Sequence, residues 1–229
     1  MFVDVHTHDI NTDNHSVIKI VNLGFLVNTS WGGDFPVPFS VGIHPWDASE
    51  DFDLNEFSDI LREKKAVAVG ESGLDKAHKE TFAKQHEIFL KMIDFSERFR
   101  KPLIIHAVRT YSDIISIRNK TKSKMPWIIH GFQGSPESAR QLTSHGMYLS
   151  FGELLYRNEN HALKALKATP IENMFFETDV SGRNIADVYE KAAALMGCGI
   201  DFLEEKIFDN FKRIFVDGKL EEQDTHFGW

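Results

Sequence analysis

The stretch FVDVHTH at residues 2–8 places two histidines and an aspartate at the start of the chain. Its apolar residues favour a β-strand, in which successive side chains point to opposite faces. His6 and His8 therefore share one face, about 6.6–6.8 Å apart along the strand, and Asp4 is expected on the same face. Because neutral imidazole nitrogens bind zinc and other transition ions, the pattern indicates one side of a metal site.

Four other apolar runs also end in an ionisable residue. These residues are Glu71 after AVAVG, His106 after PLII, His130 after PWII and Asp179 at the end of NMFFETD. In a parallel barrel, catalytic groups lie at the carboxyl ends of the strands. Together the runs offer four imidazoles and two carboxylates, which suit two divalent ions sharing a bridging carboxylate. Two such ions can activate a water and stabilise the oxygens of a phosphoryl displacement, so the pattern predicts a hydrolase.

The elements that must position these residues alternate between strands and helices. Eight short apolar runs are predicted as strands: 2–6, 24–28, 37–43, 66–70, 102–106, 126–130, 146–151 and 173–178. Segments with helical spacing are 52–64, 79–100, 111–120, 136–145, 160–168, 184–197 and 200–216. This alternation implies a parallel sheet, and eight units suggest an α/β fold of the (β/α)8 TIM-barrel type.

We expect a single domain at residues 1–216, followed by a polar C-terminal tail at 217–229. The connection TSWGGDFP between the second and third predicted strands is too short and too rich in glycine and proline for a crossover helix. The barrel is therefore expected to be trimmed or irregular there. An open α/β sheet is the alternative fold.

The composition is that of an ordinary globular protein, with 42% hydrophobic and 26% charged residues. The formal net charge of −8 argues against binding nucleic acid through a broad positive surface. It does not argue against an enzyme that reaches phosphates through metal ions, because bound cations reverse the local charge. Neither an export signal nor a membrane segment is expected, and the predicted location is cytoplasmic.

An ordered set of motifs resembles the TatD-like family of metal-dependent hydrolases, barrel enzymes of the wider amidohydrolase group. The motifs are DVHTH, GIHPW, VGESGLD, KPLIIH, IIHGFQGS and FFETD, and they span nearly the whole chain, from residue 2 to about 215. Members of this family are divalent-metal-dependent nucleases, mainly exonucleases on DNA. The resemblance therefore implies a DNase that hydrolyses phosphodiester bonds.

The resemblance also implies roles for individual residues. It implies two divalent ions (Mg, Mn or Zn) with six ligands: His6, His8 and Asp179 for the first ion, His106 and His130 for the second, and Glu71 bridging both. Asp179 and Glu71 are the expected catalytic carboxylates. Asp179 would orient or deprotonate the attacking water.

The predicted substrate rim departs from the family pattern. The family follows its last aspartate with Ala-Pro, which this chain lacks, and it places an arginine two residues after KPLIIH, whereas Arg109 lies three residues on. Arg109 is still a candidate phosphate contact. An aromatic pair after GLD is replaced by KAH, which leaves Lys76 as a candidate anion contact. His44 of GIHPW is expected above the barrel mouth as a substrate contact, and Trp31 or Trp46 could stack a base.

Two other functions fit the same residues. The chain could hydrolyse a small-molecule amide, lactone or phosphoester, because the same chemistry activates water for those bonds. From a different class, it could be a catalytically silent metal-binding protein, against which the presence of Asp179 argues. The expected partner is DNA or a small phosphoester.

Overall fold

The protein is a barrel of parallel strands. The computed structural model describes residues 1–11, 16–24 and 35–217. Eight strands pair in chain order: β1 (Phe2–Thr7), β2 (Val17–Gly24), β3 (Phe39–Gly42), β4 (Ala66–Asp75), β5 (Leu103–Val108), β6 (Trp127–Ile129), β7 (Met147–Phe151) and β8 (Met174–Phe176). Beyond β8, Asp179 forms a parallel bridge with Thr7, so the chain returns to the first strand. The predicted (β/α)8 TIM-type barrel is confirmed.

Helices follow the strands from β3 onward. They are α1 (Leu54–Arg62), α2 (Phe82–Phe99), α3 (Tyr111–Thr121), α4 (Pro136–Ser144), α5 (Leu154–Arg157), α6 (Glu159–Ala168), α7 (Ile185–Met196) and α8 (Ile200–Phe211). Side chains that accept backbone N–H groups begin several of them, including Asp53 before α1 and Asn184 before α7. Within the described ranges no helix precedes β3. Residues 12–15 and 25–34 of the first two connections lie outside those ranges, so the irregularity expected there stays a prediction.

The second strand lies earlier than its predicted position. The apolar run 24–28 is predicted as the strand, but β2 ends at Gly24, and residues 25–34 lie outside the described part of the chain. The prediction is wrong because two polar residues interrupt the true strand and hide it. Lys19 reaches the carboxylate of Asp9 at 2.6 Å, and Asn22 is buried against β4, so both find partners that the local sequence does not reveal.

The strands carry the hydrophobic core because helices cover most of the barrel. β6 and β8 are fully buried, and Phe89 of α2 packs on Trp127 of β6 with ring centroids 5.7 Å apart. Among the described residues, no helix is both long and apolar enough to cross a membrane. The tail predicted at 217–229 lies outside the described residues from 218 onward.

β4 and β5 approach each other closely next to the rim. Gly73 has a φ of +155°, and a Cβ atom built there would lie 2.0 Å from the backbone oxygen of His106. Only glycine fits this position without moving one strand. The close approach places the carboxyl ends of β4 and β5, and therefore Glu71 and His106, next to each other.

Candidate metal centre

Glu71 lies at the centre of a cluster of imidazoles at the carboxyl ends of the strands. Its side chain is 7% exposed. Its Oε1 atom lies 2.7 Å from Nε2 of His130, 2.8 Å from Nδ1 of His106 and 3.3 Å from Nε2 of His44. Its Oε2 atom lies 3.3 Å from Nε2 of His6. One buried carboxylate from β4 therefore contacts histidines that lie on or just after four other strands, β1, β3, β5 and β6.

Asp179 joins the histidine pair of β1. Its Oδ1 atom lies 3.6 Å from Nε2 of His6 and 3.6 Å from Nε2 of His8. Two backbone hydrogen bonds hold Asp179 beside β1. The N–H of Asp179 donates to the carbonyl oxygen of His6, and the N–H of His8 donates to the carbonyl oxygen of Asp179. His6 is fully buried, whereas the side chains of His8 and Asp179 are 41% and 30% exposed. This side of the cluster is therefore open to solvent.

Asp4 lies apart from these imidazoles, and the prediction that it shares their face is wrong. Its carboxylate accepts hydrogen bonds from the backbone N–H and the hydroxyl of Thr178, and that hydroxyl also contacts Thr7. The pairing of β1 with β2 shifts register between Asp4 and Thr7, which breaks the strict alternation assumed from the sequence. Burial raises the pKa of Asp4 to about 7, although the hydrogen bonds from Thr178 oppose that rise.

The donor atoms fit a divalent cation. Three overlapping groups each have ligand atoms within 4.8 Å of one another: His6 with His8 and Glu71, His6 with His130 and Asp179, and His44 with Glu71 and His106. Both ring nitrogens of His6 are buried without a well-aligned hydrogen-bond partner among the described residues. Buried imidazole nitrogens normally have hydrogen-bond partners. A cation coordinated by Nε2 would give that nitrogen the partner that no described residue provides.

The electrostatics keep the carboxylates ionised. Burial alone raises the pKa of Glu71, but the charge of His130 and the hydrogen bonds from neighbouring histidines hold it well below its usual range. Burial also raises the pKa of Asp179, but the close contact with His6 and the charge of that imidazole bring it below its ordinary value. Burial and His130 lower the pKa of His6, but its contacts with the two carboxylates outweigh them and raise it to about 9. Two carboxylates thus offer charged oxygens to a cation.

Sequence reasoning missed two polar residues that support the cluster. Asn22 of β2 donates from Nδ2 to Oε2 of Glu71 at 3.2 Å and accepts the backbone N–H of Glu71 at 3.0 Å. Glu177 is 1% exposed, accepts the N–H of Gly131 at 2.6 Å and lies 3.5 Å from Nδ1 of His130. The available signals were a lone asparagine in an apolar strand and a glutamate directly after three apolar residues of β8.

The predicted substrate residues fall into three different surroundings. His44 lies inside the cluster, 3.4 Å from His106, so it could serve as a ligand as well as a substrate contact. Arg109 is exposed with a φ of +58°, and its side chain has no hydrogen bond or ion pair with the residues that the structure describes. Lys76 is paired with Asp113 at 2.5 Å. Trp31 lies outside the described residues.

Trp46 stands at the mouth of the cluster. It is 57% exposed, and its ring centroid lies 4.9 Å from that of His44 and 5.0 Å from that of His78. A hydrogen bond of 2.8 Å from its indole N–H to Asp75 holds it there. An exposed aromatic side chain with a fixed orientation is suited to stack on a flat ligand.

A parallel barrel with buried imidazoles and carboxylates at the carboxyl ends of its strands defines a metal-dependent hydrolase of the TIM-barrel class. A sequence model of the family described as TatD related DNase matches residues 26–216. The chain therefore belongs to this family and is a TatD-like metal-dependent hydrolase.

Individual relatives agree with the family. The chain is 30% identical over 195 residues to the uncharacterized metal-dependent hydrolase YcfH of Escherichia coli K12, covering 78% of this chain and 74% of that protein. It is 27% identical over 192 residues to deoxyribonuclease Tat-D of Schizosaccharomyces pombe, covering 76% of this chain and 58% of that protein. The crystal structure of YjjV, a TatD homolog from Escherichia coli K12, has the same fold, with a TM-score of 0.79 and 20% identity over 93% of this chain and 97% of that one.

Proposed function

We propose that the protein hydrolyses phosphodiester bonds of DNA with divalent metal ions. The observation that carries this proposal is the position of Glu71, whose two carboxylate oxygens face opposite halves of the cluster. Oε2 faces His6 at 3.3 Å, and Oε1 faces His130 and His106 at 2.7 and 2.8 Å. A carboxylate with this arrangement is suited to bridge two cations.

The residues on each side of Glu71 give the proposed assignment: His6, His8 and Asp179 for one ion, His106 and His130 for the other, with His44 as a further donor beside the second. Bound ions would lower the pKa of a water and neutralise charge on a phosphoryl group. The mixed set of imidazole and carboxylate ligands accepts magnesium, manganese or zinc.

Asp179 is the proposed general base. Its side chain is 30% exposed, so a water or substrate can reach it, whereas Glu71 is almost enclosed. Its pKa lies below the ordinary value, because the contact with His6 offsets the effect of burial, so the group is an ionised acceptor at neutral pH. It can therefore orient a nucleophilic water or accept its proton.

Three exposed or partly exposed residues are proposed to bind the substrate. Arg109 offers a guanidinium that no described residue pairs with, and it can form bidentate contacts with a phosphate. His44 lies at the edge of the cluster, and Trp46 presents an aromatic face beside it. Lys76 contributes less than the sequence suggests, because Asp113 already pairs with it. The name of the Schizosaccharomyces pombe relative, deoxyribonuclease Tat-D, supports DNA as the substrate.

The test is hydrolysis by chelator-stripped protein that is resupplied with magnesium, manganese or zinc. The substrates are end-labelled single-stranded DNA and a generic phosphodiester. Asp179→Ala should abolish metal-dependent cleavage. Asp9→Ala is the matched control, because it removes a carboxylate at the same edge of the barrel. Among the described residues that carboxylate contacts Lys19 and the backbone of Asn11, which lie outside the cluster.

The outcomes separate the alternatives. Cleavage of both substrates that depends on metal and Asp179 supports the proposal, and cleavage of DNA should then fall as salt rises. Metal binding without cleavage of either phosphodiester would overturn it in favour of a small-molecule amide or lactone hydrolase. The net charge of −8 and the pairing of Lys76 are the observations that favour this second candidate. Failure to bind any of the three metals would refute both functions.

A further inference from the structure

Asp75 ends β4 and links the mouth of the cluster to one of its histidines. The residue is 2% exposed. Its Oδ2 atom accepts the indole N–H of Trp46 at 2.8 Å and lies 3.2 Å from Nε2 of His106. Its Oδ1 atom accepts the backbone N–H of Ala77 at 2.7 Å. Three donors thus converge on one buried carboxylate. An aspartate that only stabilised the loop after β4 would need the bond to Ala77, but not the contacts with Trp46 and His106.

The contact with Asp75 determines which nitrogen of His106 faces the cluster. Nδ1 of His106 lies 2.8 Å from Oε1 of Glu71, whereas Nε2 points away toward Asp75. A neutral imidazole carries one N–H and one lone pair. Both ring nitrogens of His106 face a carboxylate, and without a cation Nδ1 can donate to Glu71. With a cation bound in the cluster, Asp75, which can only accept, would hold the one ring proton at Nε2 and leave the lone pair of Nδ1 for the cation.

We propose that Asp75 is a positioning residue that fixes the tautomer and ring orientation of His106 so that Nδ1 is the metal-binding atom. The inference rests on the proposed metal site. It adds a residue that acts through His106 and touches neither metal nor substrate. The same oxygen anchors Trp46, so the orientation of the ligand and the position of the exposed indole at the mouth depend on a single atom.

His130 provides the internal comparison. It faces Glu71 through Nε2 at 2.7 Å, and its Nδ1 lies 3.5 Å from Glu177. The two histidines of the second proposed ion therefore present opposite ring nitrogens. Each has a buried carboxylate on its far side, but Asp75 is closer and aligned for a hydrogen bond, whereas the Nδ1 of His130 has no well-aligned partner among the described residues.

An asparagine at position 75 cannot replace the carboxylate. Its single amide oxygen can accept from Ala77, or from Trp46 and His106, but not from both sides. With the amide NH2 group toward His106, Nε2 must accept and the ring proton must move to Nδ1. That tautomer cannot coordinate a metal through Nδ1, and enforcing the wrong tautomer in this way is known to disable histidines elsewhere.

The first test is calorimetric titration of the chelator-stripped protein with zinc and with manganese. We expect Asp75→Asn to bind about 10–100-fold more weakly than the unmodified protein. Asp53→Asn is the matched control, because it makes the same chemical change at the N-terminus of α1, where asparagine caps a helix as well as aspartate does. Its affinity should equal that of the unmodified protein. Equal affinity of Asp75→Asn would overturn the inference.

A second measurement needs no substitution at position 75. Long-range 1H–15N correlation of the zinc-loaded protein reports which nitrogen of each histidine ring carries the proton, and His106→Gln assigns the His106 signals. The inference expects the proton of His106 on Nε2. A proton on Nδ1 would refute it, even if Asp75→Asn failed to fold. If the unmodified protein bound no metal at all, the proposed function would fail first and this inference with it.

Discussion

Asn22 is predicted to stabilise the metal-free site more than any other uncharged residue around it. Its amide makes both halves of a reciprocal contact with Glu71, donating to Oε2 at 3.2 Å and accepting the backbone N–H at 3.0 Å. Asn22→Ala would leave that N–H without its partner in a strand that is buried throughout, and would remove one donor from a buried carboxylate. The residue that it supports is the one on which the proposed function depends.

The magnitude follows from these two bonds. An orphaned buried N–H costs about 1–3 kcal/mol, and a hydrogen bond to a charged group contributes about 1.5–3 kcal/mol. Asn22 is 9% exposed, so water can replace part of the loss. We therefore expect the free energy of unfolding to fall by about 3 kcal/mol, which corresponds to a decrease of about 6–12 °C in Tm for a chain of this size.

The assay is urea unfolding of the chelator-stripped protein, with Ser40→Ala as the control. The hydroxyl of Ser40 donates to the same amide oxygen of Asn22 at 3.4 Å, so removing it tests the environment without breaking the contact with Glu71. Ser40→Ala should cost less than about 1 kcal/mol, since the bond is long and neutral. If Asn22→Ala cost no more than Ser40→Ala, the claim that Asn22 holds Glu71 would be wrong.

Three further predictions test the fold and the rim. Glu97→Ala should cost about 2–3 kcal/mol, because one oxygen of Glu97 accepts from a serine hydroxyl and two backbone N–H groups. Burial raises the pKa of Glu97, but these bonds bring it below the ordinary 4.5. Measured by urea unfolding, the loss of stability in Glu97→Ala should therefore be largest above pH 4.5 and should shrink as the pH falls through the folded-state pKa of Glu97. Gly73→Ala should prevent folding or lower Tm far more than Gly146→Ala. Both glycines have positive φ, but only a Cβ at position 73 would meet another strand, at the backbone oxygen of His106. An equal decrease of Tm in the two variants would contradict this explanation. Arg109→Ala should raise KM for DNA several-fold with little change in kcat and weaken the salt dependence of KM, and an unchanged KM would remove Arg109 from the substrate site.

The sequence was most informative where strands end in a histidine or a carboxylate. In β5 and β6 three apolar residues are followed directly by His106 and His130, and the parallel topology brings these positions together. A pattern of residue types was therefore enough to predict the barrel and to place the candidate ligands on one rim, whereas the bridging role of Glu71 was implied by the family resemblance and stays a prediction. The prediction succeeded because buried parallel strands have few polar residues, so a polar residue at a strand end stands out.

The sequence was least informative where a polar residue finds its partner across the barrel. Asn22 contacts a residue 49 positions away, and its presence helped to conceal β2. His44 follows the third strand as expected, but its position beside Glu71 and His106 depends on the packing of three strands. The pairing of Lys76 with Asp113 was equally invisible, since it joins the loop after β4 to α3. Periodicity reports which face a residue lies on, but it does not report which distant side chain lies opposite.

Three supporting residues hold members of the cluster from its outer side. Asp75 holds the outward nitrogen of His106, Glu177 lies behind His130, and Asn22 fixes Glu71 from the β2 side. Each contact binds a group from behind and leaves its inward atom directed at the centre. The buried part of the site is therefore suited to the proposed cations, and the departures from the family pattern lie in the exposed loops around it. We expect changes in those loops to alter which substrate is cut, and changes behind the ligands to alter whether metal is held at all.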